Sequence, residues 1–130
     1  MPTPGSDEWL AQITEDITEP DLPIVDPHHH LWNREWQVYE IEDLLKDTGS
    51  GHNVIKTLYM ECGSSYREDG PSHLKPTGET EYVIDQINKG EAIGGSEIAG
   101  IIGKADLTLG ENVTEVLEQH IEAAEGRFRG

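Results

Sequence analysis

Basic residues are scarce in this chain. Nine Lys and Arg stand against 26 Asp and Glu, which gives a formal net charge of −17 with histidine neutral. A surface of such negative potential repels the phosphate backbone of nucleic acids and the head groups of anionic lipids. We therefore expect neither nucleic acid nor a membrane surface as a partner, and a small-molecule substrate is the better expectation.

Cysteine, aromatic residues and long apolar runs are scarce as well. The single cysteine, Cys62, cannot form an intrachain disulfide, so nothing indicates an oxidising compartment. No apolar run approaches the roughly 20 residues of a membrane span, and residues 1–6 lack the features of a secretory signal. The cytoplasm is therefore the expected location. A hydrophobic content of 35% with 6% aromatics is lean for one self-sufficient domain of 130 residues.

Strand and helix patterns alternate along most of the chain. Residues 1–21 are predicted to be an N-terminal arm or short helix, because Trp9, Ile13 and Ile17 recur at helical spacing. The remainder, 22–130, is predicted to be one βα-alternating region with near-continuous apolar strands, which are typical of a parallel sheet. The predicted strands are 22–26, 54–60 and 98–105, and 127–130 resembles the start of a fourth strand. The predicted helices lie near 41–45, 79–88 and 112–125, the last with Asn112 as its N-cap.

The most informative segment runs from Ile24 to Trp32, where a short apolar strand ends in three consecutive histidines. In an extended chain Asp26, His28 and His30 point to one side, while His29 points to the other. Neutral imidazole is a common zinc ligand, and catalytic zinc usually takes three protein ligands and a water. His28 and His30 are therefore candidate metal ligands. The alternative is a solvated loop, since a His-x-His pair occurs in many unrelated proteins.

Polar residues also follow the other predicted strands. Glu61 comes after the second strand and Asp106 after the third, as His28 and His30 come after the first. Barrels of the (β/α)8 or TIM type place their active sites at the carboxyl ends of parallel strands. Because a full barrel needs about 250 residues, we expect an α/β fold that represents the first half of a TIM-type barrel, three strands plus the start of a fourth.

Several segments together resemble a known family. Ile24-Val25-Asp26-Pro27-His28-His29-His30-Leu31-Trp32 is similar to the first-strand motif of the amidohydrolase superfamily, specifically the amidohydrolase-related branch that includes sugar and dicarboxylate lactonases. The resemblance spans nearly all of the chain, and its other segments are Trp9-Leu10, Tyr59-Met60-Glu61, Gly78-Glu79-Thr80-Glu81-Tyr82, Ala105-Asp106-Leu107 and Gly126-Arg127-Phe128-Arg129-Gly130.

The resemblance implies a metal-assisted hydrolase that acts on a lactone, amide or related carboxylic ester. His28 and His30 would hold a divalent ion, with zinc the first expectation, although some lactonases of this branch work without metal. The late-strand carboxylate that acts as general base and the later histidine ligand would lie outside this sequence, so no catalytic residue is assigned within it. As the amino-terminal part of a hydrolase barrel, the chain alone would be inactive and would self-associate through its open barrel edges.

Three further residues have two interpretations each. Trp32 is a candidate wall of the substrate cavity or a tryptophan at the edge of the core. Glu61 and Asp106 are candidate substrate-side or ligand-orienting carboxylates, or they simply cap their strands. His52, His73 and His120 are read as structural, the first two in loops and His120 on the inward face of a helix.

Two other classes of function compete with the hydrolase. One is a non-catalytic module that binds metal or a small ligand through the histidine cluster, for which tight zinc binding through a closed set of ligands is expected. The other is an acidic interaction domain with incidental histidines, in which changing His28 and His30 alters nothing.

Overall fold

The computed structural model describes all 130 residues. Five strands and four α-helices follow one another along the chain, joined by two 3-10 turns at Ser72–Leu74 and Leu107–Asn112. In order they are α1 (Asp7–Leu10), β1 (Ile24–His29), β2 (Trp32–Arg34), β3 (Gln37–Tyr39), α2 (Ile41–Thr48), β4 (Val54–Met60), α3 (Thr77–Glu91), β5 (Glu97–Ile102) and α4 (Val113–Ala123).

A three-stranded parallel sheet forms the centre of the fold, with β4 between β1 and β5. A single parallel bridge between Ile101 and Phe128 extends it beyond β5, where the start of a fourth strand was predicted. β2 and β3 pair antiparallel as a separate hairpin between β1 and α2. Since the main strands are parallel, their carboxyl ends meet at one edge of the sheet.

The predicted TIM-type barrel is wrong. The parallel strands form an open sheet, and β2 and β3 lie in a second sheet, so neither a barrel nor half of one is present. The βα alternation that suggested a barrel is shared by open parallel sheets, and those also collect polar residues at the carboxyl ends of their strands. Alternation and strand-end polarity therefore establish the parallel sheet but do not distinguish the two architectures.

The core lies between one face of the sheet and the helices. Tyr59 of β4 and Ile101 of β5 are fully buried, and Val83 of α3 packs into the same cluster. Leu31 closes the cluster beside the hairpin. Burial of these side chains supplies the main driving force for folding. The opposite face of the sheet is less covered, as the exposed Val25 shows.

Several strand and helix boundaries in the structure differ from the predicted ones. The 54–60 strand is confirmed, whereas the predicted strand 98–105 ends at Ile102 and the predicted strand 22–26 extends to His29. The arm is helical only over α1, where the Ser6 side chain accepts a hydrogen bond from Trp9 N. Asn112 makes no side-chain cap for α4; instead Asp106 caps the preceding 3-10 turn. No helix of the structure has the length and apolar character needed to cross a bilayer.

The packing of β5 against the helices gives a direct test of the core. Ile101 is fully buried, so Ile101→Ala is expected to lower the free energy of unfolding by about 2–5 kcal/mol. Ile121 of α4 is 57% exposed, so the same substitution there should change stability by no more than about 0.5 kcal/mol. Urea unfolding followed by circular dichroism measures both variants. Equal losses in the two variants would contradict this assignment of the core.

Candidate functional site

The side chains of His28 and His30 converge at the carboxyl end of β1. Their Nε2 atoms lie 3.2 Å apart, and the two rings meet edge to face with centroids separated by 4.9 Å. We call these two residues the imidazole pair. His28 is exposed and His30 is half-buried, so the pair lies at the protein surface. The clefts of the structure lie elsewhere, one of them beside Ile41 and Ile87.

A hydrogen bond to the backbone fixes the orientation of His30. Its Nδ1 lies 2.8 Å from the carbonyl oxygen of Met60, the last residue of β4. A carbonyl can only accept, so Nδ1 carries the proton, and Nε2 of the neutral ring presents its lone pair toward His28. The Nε2 of His28 then donates to it. Ligating histidines in metal sites usually show this arrangement, with the far ring nitrogen donating to a carbonyl or carboxylate.

The spacing of the imidazole pair fits a divalent metal ion. Two nitrogens bound at roughly 2.0–2.1 Å in tetrahedral geometry lie about 3.3 Å apart, and the Nε2 atoms are separated by 3.2 Å. No group of three or more His, Cys, Asp or Glu side chains in the structure is arranged to hold a metal. The residues present therefore fit two positions of a coordination sphere.

Asp26 does not join the imidazole pair, contrary to the strict alternation expected from the sequence. The pairing of β1 with β4 shifts its register between Asp26 and His29. As a result, Asp26 lies opposite Thr57 and His29 lies opposite Tyr59. Pro27, which has no N–H for the ladder, lies within this shift. Asp26 Oδ1 accepts a hydrogen bond from the backbone N–H of His28 at 3.0 Å and so holds the turn of chain that leads into the pair.

His29 faces the interior, as the alternation predicted. It is buried, and its Nε2 lies 3.0 Å from Thr57 Oγ1. Burial lowers the pKa of His29 to about 4, so the ring is neutral near pH 7. His29 therefore anchors β1 to β4, while its two neighbours in the sequence remain at the surface.

The hairpin β2–β3 carries aromatic residues and a cation beside the imidazole pair. The ring of Trp32 stacks on that of His30, with centroids 6.1 Å apart and planes inclined by 26°. The Cζ of Arg34 lies 5.2 Å from the Trp32 centroid and 5.6 Å from that of Trp36. We call Trp32, Arg34 and Trp36 the Trp–Arg–Trp stack. Arg34 was not predicted as a site residue, although its spacing of two from both Trp32 and Trp36 is visible in the sequence.

Glu61 and Asp106 differ in their hydrogen bonds. Glu61 follows Met60 directly; its backbone N–H donates to Ile102 O at 3.0 Å, and its carboxylate has no hydrogen-bond partner. Asp106 is exposed and accepts hydrogen bonds from the amide and hydroxyl of Thr108, which hold the pKa of its carboxyl below the usual value. The geometry gives Asp106 a capping role, and a contact of either carboxylate with substrate stays a prediction.

A buried carboxylate organises the loop after β4. Glu79, in the first turn of α3, is almost fully buried and accepts hydrogen bonds from Tyr59 Oη at 2.7 Å and from the amide of Cys62 at 2.8 Å. The amides of Gly63 and Ser64 lie within 3.3 Å of the same carboxylate. Burial, followed by the bond to Glu79, raises the pKa of Tyr59, and burial raises that of the Cys62 thiol, so both remain protonated donors.

Among the remaining histidines, His120 makes the contacts of a structural residue. His120 lies on the inward face of α4, as predicted, with Nδ1 2.8 Å from Thr80 Oγ1 and Nε2 2.9 Å from Lys104 O. Its ring stacks on Phe128. His73 contacts Glu115 at 3.0 Å and His52 is exposed.

The Glu79 network can be tested with two glutamates of the same helix. Glu79→Gln keeps the shape of the side chain but replaces one acceptor oxygen with an amide that faces N–H donors. It is expected to lower the free energy of unfolding by about 1.5–3 kcal/mol. Glu81, an exposed partner of Arg67, is the control, and Glu81→Gln should cost no more than about 1 kcal/mol in urea unfolding. A Glu79→Gln variant as stable as the parent would show that the network is dispensable.

Burial of His120 predicts a pH dependence of stability. Burial lowers its pKa below 6.5, the value for an unperturbed histidine. Between the lowered pKa and 6.5 the unfolded chain binds more protons than the folded chain. This contribution to stability is therefore fully present above pH 6.5 and is lost as the pH falls toward the folded-state pKa.

Two histidine variants test whether His120 causes this pH dependence of stability. Urea unfolding at several pH values should show a shallower pH dependence in His120→Gln, whose amide can still donate to Lys104 O, than in the parent chain. His52→Gln should leave the dependence unchanged. A His120→Gln profile identical to that of the parent would contradict the assignment.

Comparison with known proteins gives a distant relative. The chain is 29% identical over 132 residues to a protein of Sinorhizobium fredii, the uncharacterized protein y4mH, and the alignment covers 85% of this chain and 39% of that protein. The chain thus spans about two fifths of the length of the curated relative it matches. No family model matches the sequence, and no solved structure matches it.

Proposed function

We propose that this protein binds a divalent metal ion, zinc in the first instance, through Nε2 of His28 and His30. We further propose that it takes part in the metal-assisted hydrolysis of a lactone, amide or related ester of a small molecule, in the cytoplasm. The observation that carries the proposal is the 3.2 Å separation of the two Nε2 atoms, together with the bond from His30 Nδ1 to Met60 O that sets the orientation of His30.

The chemistry of the two rings supports metal binding over a simple histidine contact. With His30 Nδ1 protonated, its Nε2 is a lone-pair donor, and His28 becomes a second donor when its proton moves from Nε2 to Nδ1 by exchange with solvent. Both rings are then neutral ligands. A formal net charge of −17 raises the local concentration of cations, which favours their capture at a surface site.

The resemblance of the Ile24–Trp32 segment to amidohydrolase-related lactonases supports the reaction class. A bound divalent ion would supply Lewis acidity for a carbonyl oxygen and a lower pKa for a coordinated water. In this chain, His28 and His30 would hold the ion. His29 connects β1 to β4 through its contact with Thr57, and the Trp32 ring forms an apolar wall against His30. No residue of the chain is assigned as general base.

A non-catalytic metal-binding module is the second candidate. The observation that favours it is the exposure of His28, since no cleft encloses the imidazole pair. The expectation that the chain is inactive came from the missing half of a barrel, and the open sheet removes that basis. Metal binding and hydrolysis can therefore be measured on the chain itself.

The test begins with metal affinity. Titration calorimetry with Zn²⁺, and Co²⁺ absorption spectra, should show one site per chain in the parent. His28→Ala and His30→Ala should each weaken binding about tenfold or more, because each removes one of two protein ligands. His52→Ala removes an exposed histidine elsewhere and should bind like the parent. Unchanged affinity in both His28→Ala and His30→Ala would overturn the metal site.

Hydrolysis is tested next on a panel of small lactones and amides. In the presence of zinc, the parent chain should turn over at least one of them faster than zinc alone. The double variant H28A/H30A should lose that activity. Zinc binding at the pair without any turnover would contradict the hydrolytic role and favour the non-catalytic module.

A further inference from the structure

A cavity of about 150 Å³ opens between α2, α3 and the first residues of β5. We propose that this cavity binds an apolar α-amino acid, with the ligand side chain inside and its ammonium and carboxylate groups at the mouth. The cavity lies at the amino end of β5, whereas the imidazole pair lies at the carboxyl end of β1. Because the strands are parallel, these are opposite edges of the sheet. The site is therefore separate from the proposed metal site and does not depend on it.

The floor of the cavity is apolar. Ile41 of α2, Ile87 of α3 and Ile98 of β5 line it and are buried, and Leu45 of α2 adds a further aliphatic wall. A cavity of about 150 Å³ with such a lining stays dry when empty and holds a molecule the size of benzene. The space therefore suits an aliphatic side chain such as that of leucine, and burial of that side chain favours binding.

Two opposite charges stand at the mouth of the cavity. Arg127 and Glu91 both line it, and neither side chain takes part in an ion pair within the chain. Glu91 is the last residue of α3, a helix of 15 residues, so its carboxylate reinforces the negative end of the helix dipole. Glu97 lines the cavity as well, but it pairs with Lys56 at 3.7 Å. The mouth thus offers one unpaired cation and one unpaired anion to a ligand.

A zwitterion satisfies both charges, and a singly charged ligand does not. A carboxylate without an ammonium group would meet Arg127 but would be repelled by Glu91 and the end of α3. An amine without a carboxylate would meet Glu91 but would be repelled by Arg127. An α-amino acid carries the two opposite charges on one carbon. Because it has no net charge, the field of a chain with a formal charge of −17 does not repel it.

Glycine residues keep the mouth of the cavity open. Gly94 and Gly95, which follow α3, have φ angles of +80° and +123°, which residues with side chains rarely adopt. A Cβ atom at Gly95 would lie 3.1 Å from a methyl of Leu45, and one at Gly90 would lie 2.7 Å from Cγ1 of Ile41. Side chains at these positions would therefore narrow the cavity from its rim.

The experiment compares leucine with three probes that each lack one group. Leucinamide lacks the carboxylate, 4-methylpentanoate lacks the ammonium group, and glycine lacks the apolar side chain. In NMR titrations of the metal-free, ¹⁵N-labelled protein, leucine should bind with a Kd of about 1 mM or lower, and each of the other probes about fivefold or more weakly. The amide resonances of Gly94, Gly95 and Ser96 should shift, whereas that of Gly63, beyond the carboxyl end of β4, should not.

Variants of the two mouth charges test their roles separately. Arg127→Met should abolish the preference for leucine over leucinamide, because the carboxylate then has no partner. Glu91→Gln should narrow the preference for leucine over 4-methylpentanoate. Lys104→Met and Glu118→Gln remove exposed charges outside the cavity and should bind leucine like the parent.

The comparison of the four probes in the parent chain needs no variant, so the assignment stays testable even if one variant misfolds. H28A/H30A should bind leucine like the parent, which separates this site from the proposed metal site. No saturable binding of leucine, equal binding of leucine and glycine, or a folded Arg127→Met variant that keeps the parent's preference for leucine over leucinamide would each overturn the assignment, whatever the outcome for zinc.

Discussion

The hydrogen bond from His30 Nδ1 to the carbonyl of Met60 is the interaction on which the candidate site depends. It joins the carboxyl end of β1 to that of β4, and it settles which nitrogen of His30 faces outward. The parallel pairing of the two strands brings the donor and acceptor together, although they are 30 positions apart in the sequence. The same bond turns Nε2 of His30 toward His28. The pairing of β1 with β4 therefore determines how the two imidazole rings face each other.

The three consecutive histidines divide into one interior and two surface residues because strand side chains alternate. His29 anchors the strand through Thr57 in a setting where burial keeps it neutral, and its neighbours remain available to a ligand. The loop after β4 is held by Glu79, which accepts from successive backbone amides there, and this loop supplies the carbonyl that Arg34 binds. The imidazole pair and the Trp–Arg–Trp stack are thus supported by the same edge of the sheet.

Sequence patterns correctly predicted those features of this sheet edge that depend on neighbouring residues in the chain. The β-branched run of β4 defined its bounds, and alternation placed His28 with His30 and His29 opposite. Alternation failed at Asp26 because of the irregularity at Pro27. The hairpin β2–β3 was missed because Arg34, Glu35, Trp36 and Gln37 contain none of the Gly, Asn or Pro residues that mark a tight turn. The barrel was wrong because closure depends on strand stagger and tilt, which βα alternation does not specify.

The most direct test of this account is the protonation pattern of the His30 ring. Long-range ¹H–¹⁵N correlation NMR of the metal-free protein near neutral pH distinguishes the two tautomers of each histidine. The account predicts that His30 carries its proton on Nδ1, and that its Nε2 resonance shifts upon zinc addition together with that of His28. A His30 ring protonated on Nε2, or Nε2 resonances of both rings that do not respond to zinc, would contradict it.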